Sequence, residues 1–465
     1  YILGRSIYNA YFHPLARFPG PRTWGFTRLF FMTSLFRGNL HMQIKSFHDL
    51  YGPVVRVAPN ELSFIDGAAW EDIYTKFNKN KGLPKNDVFM SQDFHSFFDS
   101  IGEEHTQVRK TLAHAFSEQA LANQEPVIQA YVTTLVNKLH EVAQDGKIIN
   151  IVEWFNWFSF DVTGALTFSE SFDQLEDTTT HPWTKMISSH LTYSSFNACL
   201  RFWPPLDRLL PLLAPPSLRR LKRSFLAMSR DKVQRRLERE DLQKLDDIVA
   251  TYFSAANKGE DILTTETLVG TFTFLIVAGS ETTATALAGI TNVLCHHPQA
   301  LARLKEEVRS VSNASDLTIA STAAMPYLCA VIKEGLRFCH PVPASISRIV
   351  PQEGKVIGGH FVPGNTLVGI PQYAAYFSET NFESPYEFLP ERWIGGDGSE
   401  EARSIFRPFA VGGRSCLGQN LARAELRLVL ARVIYDFDLE MEHDLRWHDQ
   451  KSYFLWHKEP FLVRI

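Results

Sequence analysis

One long apolar stretch limits the possible folds of this chain more than any other feature. Residues 268–297 read LVGTFTFLIVAGSETTATALAGITNVLCHH, and a proline follows at position 298. Because apolar residues surround the helix on nearly all sides, we expect it to be buried and to end at Pro298. About 30 residues rising 1.5 Å each give a rod of about 45 Å. Glu281 and the threonines around it disfavour a membrane span, so we interpret the stretch as the central helix of a soluble core.

Length and composition predict a large protein of mostly helical structure. Of its 465 residues 45% are hydrophobic, which is enough to bury a large core and unlike a disordered chain. Helical periodicity runs through most of residues 100–345 and again through 416–436. The sequence has no internal repeat and no low-complexity linker, so we expect one domain over residues 22–465. A net charge of −4 gives no general attraction for nucleic acid.

Two segments have the residue pattern of short strands joined by turns. Residues 51–66 predict two strands around the turn Pro59–Asn60. Residues 354–370 predict a second hairpin with Pro363–Gly364–Asn365 as its turn. The predicted fold class is therefore mainly α with a small antiparallel β region.

The cysteines are few and scattered, at positions 199, 295, 329, 339 and 416. Their odd number and the absence of a CxxC pair disfavour a disulfide framework and a four-ligand zinc site, and favour a reducing compartment. Residues 1–21, YILGRSIYNAYFHPLARFPGP, look like a trimmed aromatic segment that ends in a stiff proline hinge. We expect a membrane anchor before Tyr1.

Cys416 stands in the glycine-rich segment FAVGGRSCLG, residues 409–418, directly before a predicted amphipathic helix over 417–437. Backbone N–H groups at a helix N-terminus and the nearby Arg414 would favour a thiolate. Such a thiolate suits a nucleophile or a metal ligand, and haem iron needs only one protein ligand on its proximal side. A small buried core residue is an equally good interpretation of an isolated cysteine.

The same segment resembles the pattern F-x-x-G-x-R-x-C-x-G of the cytochrome P-450 family of haem-thiolate monooxygenases. Phe409, Gly412, Arg414, Cys416 and Gly418 stand at the matching positions. The resemblance extends from about residue 18 to residue 465. It implies a fold that encloses haem b between the central helix and the cysteine loop, with Cys416 as the axial ligand of the iron and Arg414 on a haem propionate.

Within the central helix, AGSETT (278–283) resembles the family's oxygen-activation motif. A buried acid beside a hydroxyl is costly unless it has a function, and Glu281 with Thr282 could relay protons into a dry pocket. Ala278 and Gly279 would leave room for a diatomic ligand. A threonine-rich helix that stabilises its own kink is the competing interpretation.

Other family motifs follow in order along the chain. EGLR (334–337) and FLPERW (388–393) imply a structural triad of Glu334, Arg337 and Arg392 that braces the loop beneath the haem. HTQVRK (105–110) and PVPASISRIV (341–350) imply propionate contacts, although a solvated basic face would also explain the first. The residues that the resemblance places against the cofactor are His105, Arg109, Ala278, Gly279, Thr283, Arg348, Phe409, Arg414, Cys416 and Gly418.

Family position also implies a substrate pocket rich in aromatic side chains, suited to a bulky apolar substrate. The candidates are Phe94, Phe97, Phe98, Ile101, Phe274, Leu275, Ser345, Ile346, Phe454 and Leu455. Core packing would use the same residue types.

The resemblance implies a monooxygenase that inserts one oxygen atom from O2 into an organic substrate, with NADPH electrons delivered by a flavoprotein reductase. Residues 401–432 hold six Arg and two Glu, consistent with docking an acidic partner or with a solvated surface. The start of the chain, PNELSF and HAFS resemble membrane-bound fungal members of secondary metabolism, which implies the cytosolic face of the endoplasmic reticulum. The apolar stretch 199–216 could dip into that membrane. The alternatives are oxidative coupling, desaturation or rearrangement without net oxygen insertion, and a non-enzymatic haem sensor.

Overall fold

The computed structural model describes residues 2–76, 82–86, 88, 95–203, 216–239, 247–256, 263–395 and 399–465. The predicted pocket residue Phe94 and most of the stretch 199–216 lie outside these residues. The helices, in chain order, are α1 Ile2–Ile7, α2 Arg22–Phe26, α3 Leu29–Arg37, α4 Leu40–Tyr51, α5 Gly67–Tyr74, α6 Gly102–Ala113, α7 Glu118–Gln144, α8 Ile151–Phe168, α9 Gln174–Asp177, α10 Pro182–Arg201, α11 Pro216–Leu237, α12 Ile248–Ala256, α13 Thr265–His296, α14 Pro298–Val308, α15 Ile319–Ala323, α16 Pro326–Phe338, α17 Gln372–Tyr376, α18 Glu400–Ile405 and α19 Gln419–Asp436.

The strands are short and form small sheets beside the helices. They are β1 Val54–Ala58, β2 Glu61–Phe64, β3 Ile149–Asn150, β4 Arg348–Ile349, β5 Lys355–Ile357, β6 His360–Val362, β7 Leu367–Gly369, β8 Glu440–Met441, β9 Ser452–Tyr453, β10 Leu455–Trp456 and β11 Leu462–Arg464. The largest sheet has the order β1-β2-β7-β4, and its β2–β7 pair is parallel while the other pairs are antiparallel. The mainly α fold class with a small β region is confirmed.

The first predicted hairpin is confirmed, but the second has a different turn. Strands β1 and β2 pair around Pro59–Asn60 as expected. Strand β5 instead pairs with β6 around Gly358–Gly359, where both glycines have positive φ. A two-residue hairpin turn requires this backbone conformation, which glycine adopts without steric cost. The segment after Pro363 joins the larger sheet as β7.

The central helix is confirmed as α13, which runs from Thr265 to His296 and ends just before Pro298. Its N-terminus is capped by Thr264, whose side-chain oxygen accepts from the N–H of Thr267 at 3.2 Å. Helix α8 packs along it, and α16 and α19 contact it from other sides. By length and composition α13 is the one helix of the described residues that could cross a bilayer. It lies instead within the hydrophobic core.

The buried carboxylate of Glu334 joins α16 to the segment that precedes the cysteine loop. It accepts from Arg337 at 2.8 and 3.0 Å, from Arg392 at 3.1 Å and from the indole N–H of Trp393 at 2.7 Å. The side chains of Glu334 and Arg337 are fully buried. Since each buried charge has a partner, the group holds residues 389–393 in place against α16.

We predict that Glu334→Ala lowers the free energy of unfolding by roughly 3–5 kcal/mol, because it leaves two arginines without their buried partner. Equilibrium urea denaturation of the haem-loaded protein measures this loss. A matched control is Glu391→Ala, since Glu391 pairs with Arg303 at 2.8 Å where both side chains are half exposed. The control variant should lose at most about 1 kcal/mol of the free energy of unfolding. Equal losses in the two variants would contradict the bracing role.

Candidate active site

The cysteine loop turns back on itself directly before α19. The N–H of Cys416 donates to the carbonyl of Phe409 at 2.8 Å. Within the turn Ala410 and Gly412 have φ of +56° and +76°. A Cβ on Gly412 would lie 2.3 Å from the carbonyl oxygen of Tyr74, so only glycine fits there. These contacts fix Cys416 three residues before the helix begins.

The thiol of Cys416 is accessible although the protein surrounds it closely. Its side chain is exposed, yet burial raises the pKa of the thiol above its ordinary value. A bond from the N–H of Gly418 and the charges of Arg109 and Arg423 oppose this shift. An accessible group in such surroundings lines a hollow inside the protein. Desolvation therefore outweighs these three favourable contacts on the thiol. Arg414, which the sequence suggested as a source of stabilisation, instead donates to the carbonyls of Phe98 and Ser100.

One face of α13 is also accessible in the middle of the buried helix. Phe274, Val277, Ala278, Glu281 and Thr282 are partly exposed, whereas the residues on the other sides of this part of the helix are mostly buried. Their spacing of i, i+3, i+4, i+7 and i+8 defines one stripe along the helix. This stripe, termed here the open face, contains the predicted acid–hydroxyl pair.

Aromatic rings connect the open face to the cysteine loop. The ring of Phe98 stacks on Phe274 at 4.7 Å between centroids, and Phe97 meets Phe274 edge-on at 5.6 Å. Arg414 donates to the carbonyl of Phe98 at 3.3 Å. Arg109, from α6, donates to the carbonyl of Ser415 at 2.7 Å. The open face, the aromatic pair and the loop are therefore joined by one run of contacts, and we infer that they line the same hollow.

Four cations converge at this hollow. They are Arg109, Arg348 and Arg414, which the sequence predicted, and Lys85, which it did not. Lys85 donates to the carbonyl of Phe98 and lies 3.3 Å from the centroid of its ring. Burial and the charges of Arg414 and Arg348 lower its pKa to about 7. Nothing in the local sequence marks Lys85, because only the fold brings it beside Arg348 through a β-bridge.

His105 lies among the same cations but does not add to their charge. Burial, followed by the charges of Arg414, Arg109, Lys85 and Arg348, lowers the pKa of its ring to about 3. At neutral pH the ring is uncharged, so His105 would bind an anion as a hydrogen-bond donor. Burial and the neighbouring positive charges both disfavour a charged ring, so His105 stays a predicted propionate contact through its N–H.

The donor set fits a dianionic porphyrin with a metal that takes one sulfur ligand. The Nε and Nη1 atoms of Arg348 are buried and have no hydrogen-bond partner among the described residues. Asp99 is the carboxylate whose charge acts on both Lys85 and Arg414. Two propionates and the thiolate of Cys416 would balance the remaining positive charge. The residues present therefore fit a haem.

The two reactive candidates of the open face have different partners. Thr282 donates its hydroxyl to the carbonyl of Ala278 at 2.7 Å. The carboxylate of Glu281 accepts from Lys458 at 2.8 Å. Lys458 stands near the C-terminus, where no local motif marks it.

The two other predicted cofactor contacts on α13 have different surroundings. Gly279 is partly exposed beside the open face, and a Cβ there would lie 3.0 Å from the Thr163 methyl group, so this glycine also permits close packing on α8. Thr283 is buried and donates to Glu425 at 3.1 Å, which places its hydroxyl away from the open face.

The structure divides the remaining pocket candidates. Leu275 is buried in the core cluster next to the open face. Ser345 and Ile346 are partly exposed in the segment that leads to Arg348, and Ile346 accepts from the Tyr74 hydroxyl at 3.2 Å. Ile101, before α6, is 63% exposed.

The last two candidates lie in the short β9–β10 hairpin near the C-terminus. Phe454 forms the partly exposed tip between the strands, and Leu455 is buried in β10.

Glu425 is a buried acid of α19 that sequence reasoning missed. It faces α13 through Thr283, and its second carboxyl oxygen has no partner among the described residues. Burial raises the pKa of Glu425 from 4.5 to about 8. An acid between two arginines of an amphipathic helix resembles a surface residue, so no local signal marks it.

We predict that Glu425→Gln removes a pH-dependent loss of stability. Between pH 4.5 and 8 the folded protein keeps the Glu425 proton while the unfolded chain releases it, so stability falls as pH rises. Glutamine has no proton to release. The free energy of unfolding of the variant, relative to the unmodified protein, should therefore rise by roughly 1.4 kcal/mol per pH unit across this window. Urea denaturation over these pH values measures this difference in the free energy of unfolding. For the control Glu391→Gln, at a half-exposed site, the difference should not change with pH.

Comparison with known proteins agrees with the geometry. The cytochrome P450 family matches residues 18–465. The chain is 38% identical, over all of its length and 92% of the relative, to cytochrome P450 monooxygenase lcsI of Purpureocillium lilacinum. It is 36% identical to averantin hydroxylase of Aspergillus parasiticus, over 99% of the chain and 94% of that protein. The chain therefore belongs to the cytochrome P450 family, whose members are haem-dependent oxidoreductases that use O2 and NADPH-derived electrons.

Proposed function

We propose that this protein is a haem-thiolate monooxygenase of fungal secondary metabolism that inserts one oxygen atom into a bulky, largely apolar substrate. The observation that carries the proposal is the open face of α13 across a cation-lined hollow from the accessible thiol of Cys416. Relatives named as monooxygenases and as an averantin hydroxylase support oxygen insertion over a coupling or rearrangement reaction.

The residues divide into binding and proton-handling roles. Cys416 would ligate the iron, and Arg109, Arg348, Arg414 and Lys85 would hold the propionates. When bound, the haem supplies the activation of O2. Bidentate guanidinium–carboxylate pairs fix a planar ligand in position, which suits this task.

The proton-handling residues belong to the open face. Thr282 donates its one hydroxyl hydrogen to the carbonyl of Ala278, which leaves its oxygen able to accept a hydrogen bond. Rotation of the hydroxyl away from that carbonyl would let it pass a proton on. Glu281 would supply that proton from the adjacent position. Phe97, Phe98 and Phe274 would line the substrate side with aromatic surface and exclude water.

The partner and location follow from surface chemistry. Electrons would come from an NADPH-dependent flavoprotein reductase, and exposed basic residues such as Arg403 and Arg423 suit an acidic partner.

The native enzyme would lie at the cytosolic face of the endoplasmic reticulum membrane. The first helix and the turn after it expose Leu3, Ile7, Tyr11 and Phe12 at 75, 46, 57 and 72%. Apolar and aromatic groups in such a patch favour a membrane surface.

The function is tested with the haem-loaded protein, a fungal P450 reductase, NADPH and a panel of fungal aromatic polyketides. We expect at least one product that carries one additional oxygen atom, and mass spectrometry under isotopically labelled O2 should find the label in it. Products formed without labelled oxygen, by coupling or desaturation, would overturn the proposal of oxygen insertion.

We predict that Cys416→Ala abolishes the thiolate-type carbonyl spectrum of the reduced protein, because Cys416 is the one exposed thiol among the cysteine side chains that the structure describes. Absorbance spectroscopy under carbon monoxide measures this directly. Cys295→Ala is the matched control, since Cys295 is partly buried against the core and should leave the spectrum unchanged. A normal spectrum in Cys416→Ala would refute the ligand assignment.

A further inference from the structure

Lys458 is a nearly buried lysine whose ammonium group joins two core helices. It donates to the side chain of Asn156 on α8 at 2.9 Å, to Glu281 at 2.8 Å and to the hydroxyl of Thr285 at 3.2 Å. The side chains of Lys458 and Glu281 are 5% and 13% exposed. All three N–H groups of the ammonium are therefore matched to acceptors, and two of the three acceptors belong to α13.

The backbone of Lys458 lies at the edge of the protein while its side chain points inward. Its neighbours His457 and Glu459 are exposed. Two hydrogen bonds hold the preceding hairpin in place. The Ser195 hydroxyl donates to the carbonyl of Tyr453 at 2.8 Å, and the indole N–H of Trp456 donates to the carbonyl of His340 at 2.7 Å. Residues 457–459 are therefore held in place at the surface. The side chain of Lys458 reaches from this exposed segment to the carboxylate of Glu281.

A buried ion pair is weak evidence for stability, because desolvating two charges costs about as much as their attraction returns. A contribution to stability therefore does not explain why the Lys458–Glu281 pair is present, and we expect a functional role. Lys458 directs the carboxylate of Glu281 towards residues 457–459, where His457 and Glu459 are exposed, while Glu281 and Thr282 both belong to the open face. The acid of the open face therefore has a hydrogen-bonded route towards solvent.

We propose that Lys458 is a positioning residue that holds Glu281 for proton supply and makes residues 457–459 the entrance for protons from solvent. The inference rests on the proposed function, in which Glu281 and Thr282 supply protons for oxygen activation. In this arrangement the Glu281 carboxylate takes up a proton from solvent that enters at residues 457–459 and gives it towards Thr282, while Lys458 holds the carboxylate in place. The competing explanation is that Lys458 only ties the C-terminal segment to α8 and α13.

The test uses the haem-loaded enzyme and thioanisole, a small apolar sulfide, as the probe substrate. With reductase, thioanisole, O2, NADPH and one proton give the sulfoxide, water and NADP⁺. With hydrogen peroxide alone, thioanisole and H2O2 give the sulfoxide and water, and this second reaction needs no net proton supply. The ratio of sulfoxide formed to NADPH consumed measures proton delivery, and the peroxide reaction measures the integrity of the site.

We predict that Lys458→Met lowers sulfoxide per NADPH by about tenfold, within the range for losing a positioned proton donor, while the peroxide reaction stays within about twofold. Lys458→Arg, which keeps the charge and donors, should restore most of the ratio. In the Glu281→Gln background, Lys458→Met should have no further effect, because Lys458 acts through that carboxylate. Lys45→Met is the matched control, since Lys45 is a largely buried lysine paired with Asp49 at 2.7 Å far along the chain.

Two results would overturn the inference. One is an unchanged ratio in Lys458→Met while Glu281→Gln lowers it. The other is an equal loss of the NADPH and peroxide reactions, which would show a structural brace. If Glu281→Gln and Thr282→Ala both leave the ratio unchanged, the proposed proton roles fail instead, so the two failures are distinguishable.

Discussion

The burial of α13 is the constraint on which the rest of the structure depends. A helix of 32 residues with apolar side chains on nearly all sides needs other elements around it, and α8, α16 and α19 meet that need. In the middle of this helix the stripe from Phe274 to Thr282 is left partly open. Because most other positions in this part of the helix are buried, the open face decides where a cofactor and substrate can lie. Because α19 packs on α13, the cysteine loop directly before α19 is also held close to the central helix.

Electrostatics make this hollow different from a packing defect. Lys85, Arg109, Arg348 and Arg414 place four positive charges in one poorly solvated region, where they repel one another and depress the pKa of His105. Burying these basic groups without anions costs free energy. The folded protein therefore favours a ligand that has two carboxylates and a cationic centre. Burial likewise raises the pKa of the Cys416 thiol, so a cation at the sulfur would favour the thiolate there.

The proton side of the site is organised by residues from distant parts of the chain. Glu281 is held by Lys458, and Thr283 is bonded to Glu425. The two acids at this helix therefore have different surroundings. Glu281 is paired with an ammonium group, whereas burial raises the pKa of Glu425 to about 8. Their difference comes from their neighbours and not from their residue type. The C-terminal segment thereby becomes part of the site, although it is far from α13 in sequence.

The sequence by itself determined the central helix and the cysteine loop before α19, because each depends on local periodicity or closely spaced residues. The Glu334 contacts and the positions of Arg109, Arg348 and Arg414 were expected from the resemblance to the family. The tertiary structure alone decided which side of α13 is open, and it buries Thr283 and Leu275 beside that face. It also decided that Gly358–Gly359 forms the hairpin turn. Lys85, Glu425 and Lys458 carry no local signal, since burial and charge at a position arise from residues that only folding brings together.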